Sequence, residues 1–171
     1  MLREILIVDG YNIIGDWPEL RALKLERLEA ARDQLIDDLK EYKAITGRDV
    51  IVVFDAHLAR GNRSEEIIAG IKLMYTKELE TADELIERLV FMFEREKVRQ
   101  HIYVATSDYV EQQVTFGGGA LRISARELRQ DVIDAKKEIR ERVKQIPTQH
   151  NRLDSYLTPE VREKFEKWRR K

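Results

Sequence analysis

Cysteine is absent from this chain of 171 residues. Disulfides, thiolate-held zinc and cysteine nucleophiles are excluded together. A long apolar stretch is missing too. No run approaches the roughly 18 residues that a membrane-spanning helix needs, and Asp9 interrupts the N-terminal run before a signal-peptide core could form. A cytoplasmic protein with no membrane association is expected. Neither sign of charge dominates, since 31 Lys and Arg face 32 Asp and Glu, so no global basic character advertises nucleic acid. There is no Walker loop and no GxGxxG, so no nucleotide cofactor is expected; Gly117-Gly118-Gly119 reads as a connection. Tyr11 stands where an aspartyl-phosphate phosphatase would carry the second Asp of a DxD, and no Ser-His-Asp or Cys-His arrangement offers a nucleophile. His101 and His150 lack metal-ligand spacing. Internal repeats and low-complexity segments are also lacking.

Three short apolar runs remain, each ending on polar residues. Ile5-Leu6-Ile7-Val8 stops at Asp9-Gly10, Val50 to Phe54 stops at Asp55, and Ile102 to Ala105 stops at Thr106-Ser107-Asp108. Such runs suit strands buried on both faces of a parallel sheet. Ile71, Leu73 and Tyr75 alternate with Lys72 and Met74, which suits a strand nearer an edge. "LRIS", residues 121–124, is a fifth candidate. Leu25, Leu28, Leu35, Leu39 and Tyr42 recur at helical spacing behind Pro18 and stop at Gly47, which predicts an amphipathic helix. Thr81 with Glu84, and Ser124 with Glu127, have capping-box spacing and open two more, the second reaching about Lys144. Strands alternating with helices predict a doubly wound, mostly parallel sheet. The expected domain spans 1–145. A loop and a helix opened by Thr158-Pro159 follow in a 146–171 extension packed on the same domain.

At the carboxyl edge of such a sheet, where ligands bind, the pattern gathers Asp9, Asp55, Asp83 and Asp108. Each has a structural alternative: Asp83 and Asp108 could serve a helix dipole, and Asp is an ordinary turn residue. Jointly, four carboxylates in one crevice repel one another unless a cation or shared protons offset them. An all-oxygen site suits Mg²⁺ or Mn²⁺, which can activate water for attack on a phosphodiester. Asn12 offers an amide for that water, for a phosphate oxygen or for a turn. His57 is either a polar residue at the mouth or a general acid or base.

Charge is unevenly spread. Residues 135–171 carry a net +6 and residues 1–134 a net −7. A basic tail suggests either a solvated helix surface or a polyanionic partner, with Lys136, Lys137, Arg140, Arg169, Arg170 and Lys171 as phosphate contacts. The stretch "HLARGNRSEE", residues 57–66, is expected as a loop, either a solvated connection or one whose Arg60 and Arg63 close over a bound polyanion.

In order and interval, "VDGYN", "VVFDAH", "YTKELETADELIE" and "VATSD" resemble the YacP-like branch of the NYN domains, relatives of the PIN-domain nucleases. The resemblance covers nearly the whole chain. It implies a PIN-like three-layer α/β/α fold and a metal-dependent endoribonuclease, with family aspartates at Asp9, Asp83 and Asp108 and accompanying positions at Asn12 and Asp55. It also implies mRNA on translating ribosomes as substrate and the ribosome as partner. A non-catalytic RNA- or ribosome-binding module that retains an acidic metal site is the alternative. The carboxylates favour the enzyme, because a binding groove would more naturally be lined with Lys and Arg.

Overall fold

Apolar runs too short for helices become strands, and the stripes of the flanking helices cover them. The computed structural model describes residues 2–55, 65–96, 99–107 and 119–145. Asp108, His57, His150, Arg60, Arg63, Arg169, Arg170 and Lys171 lie outside the described residues. In chain order the elements are β1 (Arg3–Asp9), α1 (Gly10–Asp16), α2 (Pro18–Glu26), α3 (Leu28–Thr46), β2 (Asp49–Phe54), β3 (Glu65–Ile68), β4 (Ile71–Tyr75), α4 (Ala82–Glu94), β5 (Gln100–Thr106), β6 (Leu121–Ser124) and α5 (Ala125–Gln145). The chain divides into two compact units, Met1–Ile139 and Arg140–Lys171, and the sheet belongs to the first.

The six strands lie in the order β3-β4-β2-β1-β5-β6. All pairings are parallel except β3 with β4. β1 is central, and Ile5 through Val8 are fully buried, which is why that run does not alternate. One face packs Leu6, Val8, Val52 and Leu73 under residues of α1, α2, α3 and α5. The other packs Ile5, Ile7, Ile51 and Val104 under Leu85, Ile86, Leu89 and Val90 of α4. The result is the expected three-layer, mostly parallel α/β/α arrangement.

Three details depart from the sequence expectation. The residues after Asp9 form a helix at once, α1. The single helix expected through Leu25 is two, because Arg27 is extended (φ −157°, ψ 120°) between α2 and α3. That break resets the helical phase, so Leu25 is 86% exposed instead of joining Leu35 and Leu39 in the core. Glu65 and Glu66, expected in a loop, begin β3, an edge strand whose exposed residues leave no buried period to read. Its hairpin to β4 turns through Ala69 (φ 51°) and Gly70 (φ 80°), both left-handed, as a two-residue primed turn requires.

Other signals hold as read. Pro18 opens α2 and left-handed Gly47 (φ 71°) closes α3. Both capping boxes form. Glu84 N–H donates to Thr81 Oγ1 at 3.2 Å and Thr81 N–H to Glu84 Oε2 at 2.9 Å; Ser124 and Glu127 repeat the pattern at 3.2 and 2.8 Å. Trp17, between α1 and α2, is 1% exposed and donates its indole N–H to the Ala125 carbonyl at 2.8 Å, tying the α1–α2 corner to the start of α5.

Candidate active site

β1 has β2 on one side and β5 on the other, so chain order reverses beside it. In open parallel sheets that switch point opens a crevice at the carboxyl ends of the strands. Asp9 is the last residue of β1, 8% exposed, and is the N-cap of α1, its Oδ1 accepting the Asn12 N–H at 3.3 Å. An aspartate in that place does two things: it satisfies an otherwise open helix N–H and keeps a carboxylate at the switch point.

Across the crevice, Asn12 Oδ1 accepts both the N–H and the hydroxyl of Ser107, each at 2.6 Å. Ser107 directly follows β5, so this amide joins the α1 end of β1 to the carboxyl end of β5. Because Oδ1 is the acceptor, the Asn12 NH₂ group is left as a donor, uncommitted among the described residues. Asp55 directly follows β2 at the same edge, half-buried. Asp83 lies in the first turn of α4, the helix that follows β4. Thr81 and Glu84 already form the cap there, so capping does not account for Asp83.

Asp9, Asp55 and Asp83 thus share one edge, with Asn12 bound to the residue before Asp108. Among the described residues, no three Asp, Glu, His or Cys side chains stand close enough to hold a metal ion. The donors present are oxygens, the chemistry that hard divalent cations prefer, and the third expected carboxylate, Asp108, lies outside the described residues. Glycine at position 10 is a packing requirement, since a Cβ there would overlap the Phe54 ring. Tyr11 packs on Phe54 with ring centroids 4.9 Å apart, and burial raises its pKa above the ordinary value of 10 despite the opposing charge of Arg32.

This edge is set in a chain whose residues 6–170 match the YacP-like NYN domain. The protein belongs to that family. The NYN domain is 47% identical over 167 residues to YacP of Bacillus subtilis (strain 168), covering 98% of this chain and 97% of that one. It is similar to the crystal structure of Rae1 (YacP) from Bacillus subtilis, with 48% identity, a TM-score of 0.75, and 97% and 94% of the two chains covered. The crystal structure of a tryptophan-to-leucine mutant of the same Rae1 matches at 46% identity and a TM-score of 0.72, over 86% of each chain. Membership of this family, within the PIN-like nuclease superfamily, points to a nuclease.

The basic positions fare differently from one another. Lys136 Nζ contacts Asp38 Oδ1 at 2.5 Å, with side-chain exposures of 24% and 6%, so its ammonium is engaged between α5 and α3. Lys137 and Arg140 are exposed. Two participants at the edge escaped the sequence reading. Ser107 carried no signal beyond following an apolar run. Arg32 did, because it interrupts the Leu28, Leu35, Leu39 stripe at a sheet-facing position.

Proposed function

We propose that this NYN domain is a divalent-metal-dependent endoribonuclease that hydrolyses phosphodiester bonds of mRNA on translating ribosomes. The observation that carries this reading is Asp9 held at the central switch point, with Asn12 fixed across the crevice. Asp83 and Asp108, with Asp55 beside them, are proposed to hold Mg²⁺ or Mn²⁺ together with Asp9. When bound, the ion supplies charge neutralisation at the phosphate and a more acidic water. The chain's own contribution is orientation. The Asn12 N–H fixes the Asp9 carboxylate, Ser107 fixes the Asn12 amide, and the amide NH₂ is offered to a phosphate oxygen. Lys137, Arg140 and the Arg169-Arg170-Lys171 cluster are proposed as RNA or ribosome contacts, and Arg60 and Arg63 as a clamp on bound RNA.

Incubating RNA with full-length protein and Mn²⁺ should yield internal cuts that EDTA prevents and that Asp9→Asn and Asp83→Asn both abolish. Full cleavage by both variants, with contaminating nucleases excluded, would sink the assignment. Tight RNA binding by the wild type without any cleavage would favour a binding module.

A further inference from the structure

An arginine occupies a core-facing position of α3. Leu28, Arg32, Leu35, Leu39 and Tyr42 follow one another at spacings of four, three, four and three, so Arg32 lies on the stripe that packs against the sheet. α3 leads into the start of β2 and therefore begins near the opposite, carboxyl edge. Its guanidinium carbon lies there, 4.8 Å from the centroid of Phe54 and 5.5 Å from that of Tyr75, the register-paired last residues of β2 and β4. Nη2 donates to Tyr75 Oη at 2.5 Å. The two rings stack with centroids 6.0 Å apart, and Tyr11 packs in turn on Phe54.

This cation is incompletely satisfied. Among the described residues Arg32 has no carboxylate partner, and its Nε–H is buried without an acceptor; the buried Tyr11 hydroxyl nearby also lacks a partner among them. Aromatic faces attract a guanidinium but do not neutralise it. A buried arginine N–H ordinarily has an acceptor. The cluster adjoins the carboxylate crevice, for Phe54 directly precedes Asp55 and Tyr11 stands two residues after Asp9. A guanidinium held flat by stacking also has its remaining N–H groups pre-oriented, the geometry that grips a phosphate.

We propose that Arg32, clamped by Phe54 and Tyr75, is a substrate-binding residue that seats a backbone phosphate of single-stranded RNA beside the carboxylate crevice. This rests on the nuclease reading and gives it a binding subsite. The arginine draws the strand toward an edge whose carboxylates would otherwise repel it.

The test is binding of a fluorescent single-stranded oligoribonucleotide to the full-length protein in metal-free buffer over a salt series. Arg32→Gln should weaken binding at least about tenfold, as loss of a charge-assisted hydrogen bond does, and should lower the slope of log affinity against log salt by about 0.7, one phosphate contact's worth. A single methylphosphonate linkage in the RNA should weaken wild-type binding by a similar factor and leave the Arg32→Gln protein unaffected. Unchanged affinity and slope in a folded Arg32→Gln protein overturns the proposal. Should that variant not fold, wild-type binding that no single neutral linkage weakens overturns it equally. Wild-type protein that binds RNA, loses affinity in Arg32→Gln and never cuts would overturn the nuclease reading and leave the subsite standing. Metal-dependent cutting with full affinity in Arg32→Gln would do the reverse.

Discussion

Asn12 Oδ1 accepts two hydrogen bonds from one residue, Ser107, while the Asn12 N–H is donated to Asp9. One side chain thereby fixes the distance between the ends of β1 and β5. Asn12→Ala should leave the Ser107 N–H without its acceptor and destabilise the fold by about 1 kcal/mol. Ser107→Ala keeps the backbone bond and should cost less. Urea denaturation measures both, and equal losses would contradict a tie that runs through the N–H. RNA cleavage should fall more in Asn12→Ala than in Ser107→Ala.

The α4 cap does not need Asp83, because Thr81 and Glu84 supply it. Asp83→Asn should abolish cleavage, leave the metal-free Tm equal or higher by easing repulsion among carboxylates, and shrink the rise in Tm on adding Mn²⁺. A helix-dipole role predicts the opposite, a loss of about 0.3–1 kcal/mol with activity retained. Asp9→Asn should also keep its Tm, since Asn caps helices as well as Asp does.

Gly10→Ala would drive a methyl group into the Phe54 ring. Overpacking of this kind costs about 1–3 kcal/mol, so Tm should drop. The displaced ring should also loosen the Arg32 and Tyr75 stack, and near-ultraviolet circular dichroism should register it before global unfolding.

Lys136 and Lys137 are neighbours with different surroundings. Lys136→Met strands the nearly buried Asp38 carboxylate, removing its cation and leaving the neutral Gln34 amide as donor at 2.7 Å, and should lower Tm clearly. Lys137→Ala should leave Tm unchanged. If Lys137 meets RNA, its loss should reduce the salt slope of binding while Lys136→Met should not, measured on folded protein.

The hydrogen bond from Arg48 holds the Glu4 carboxyl below its ordinary pKa of 4.5, against the cost of desolvation, with Nε to Oε2 at 2.8 Å. A lowered carboxyl pKa contributes stability that is full above the unfolded value and is lost as pH falls through the folded one. The Tm difference between wild type and Glu4→Gln should therefore be constant above about pH 5.5 and narrow below 4.5. A difference that stays constant down to about pH 3 would argue against the pair.

Legibility followed burial. Ile5 to Val8 and Val50 to Phe54 were readable as strands because both their faces are covered, and Thr81 with Glu84 because capping is local. β3 was not, since an exposed edge such as Glu65 to Ile68 has no apolar period. Leu25 misled because one extended residue, Arg27, shifts the phase of everything before it relative to α3. At the site, Asp9, Asp55 and Asp83 were placed on one edge by strand order alone. The Asn12–Ser107 bridge was not foreseeable, since it joins residues 95 apart in sequence. Arg32 was visible as a charge on an apolar stripe, but only the positions of Phe54 and Tyr75 explain why it is tolerated.

The indole of Trp17 is bound to the first carbonyl of α5 in a site closed to water. Its emission should consequently be blue-shifted and hard to quench with iodide for as long as α5 stays docked. In a Trp168→Phe background it is the sole tryptophan, so detachment of α5 from the α1–α2 corner would have its own optical signal, separable from melting of the sheet.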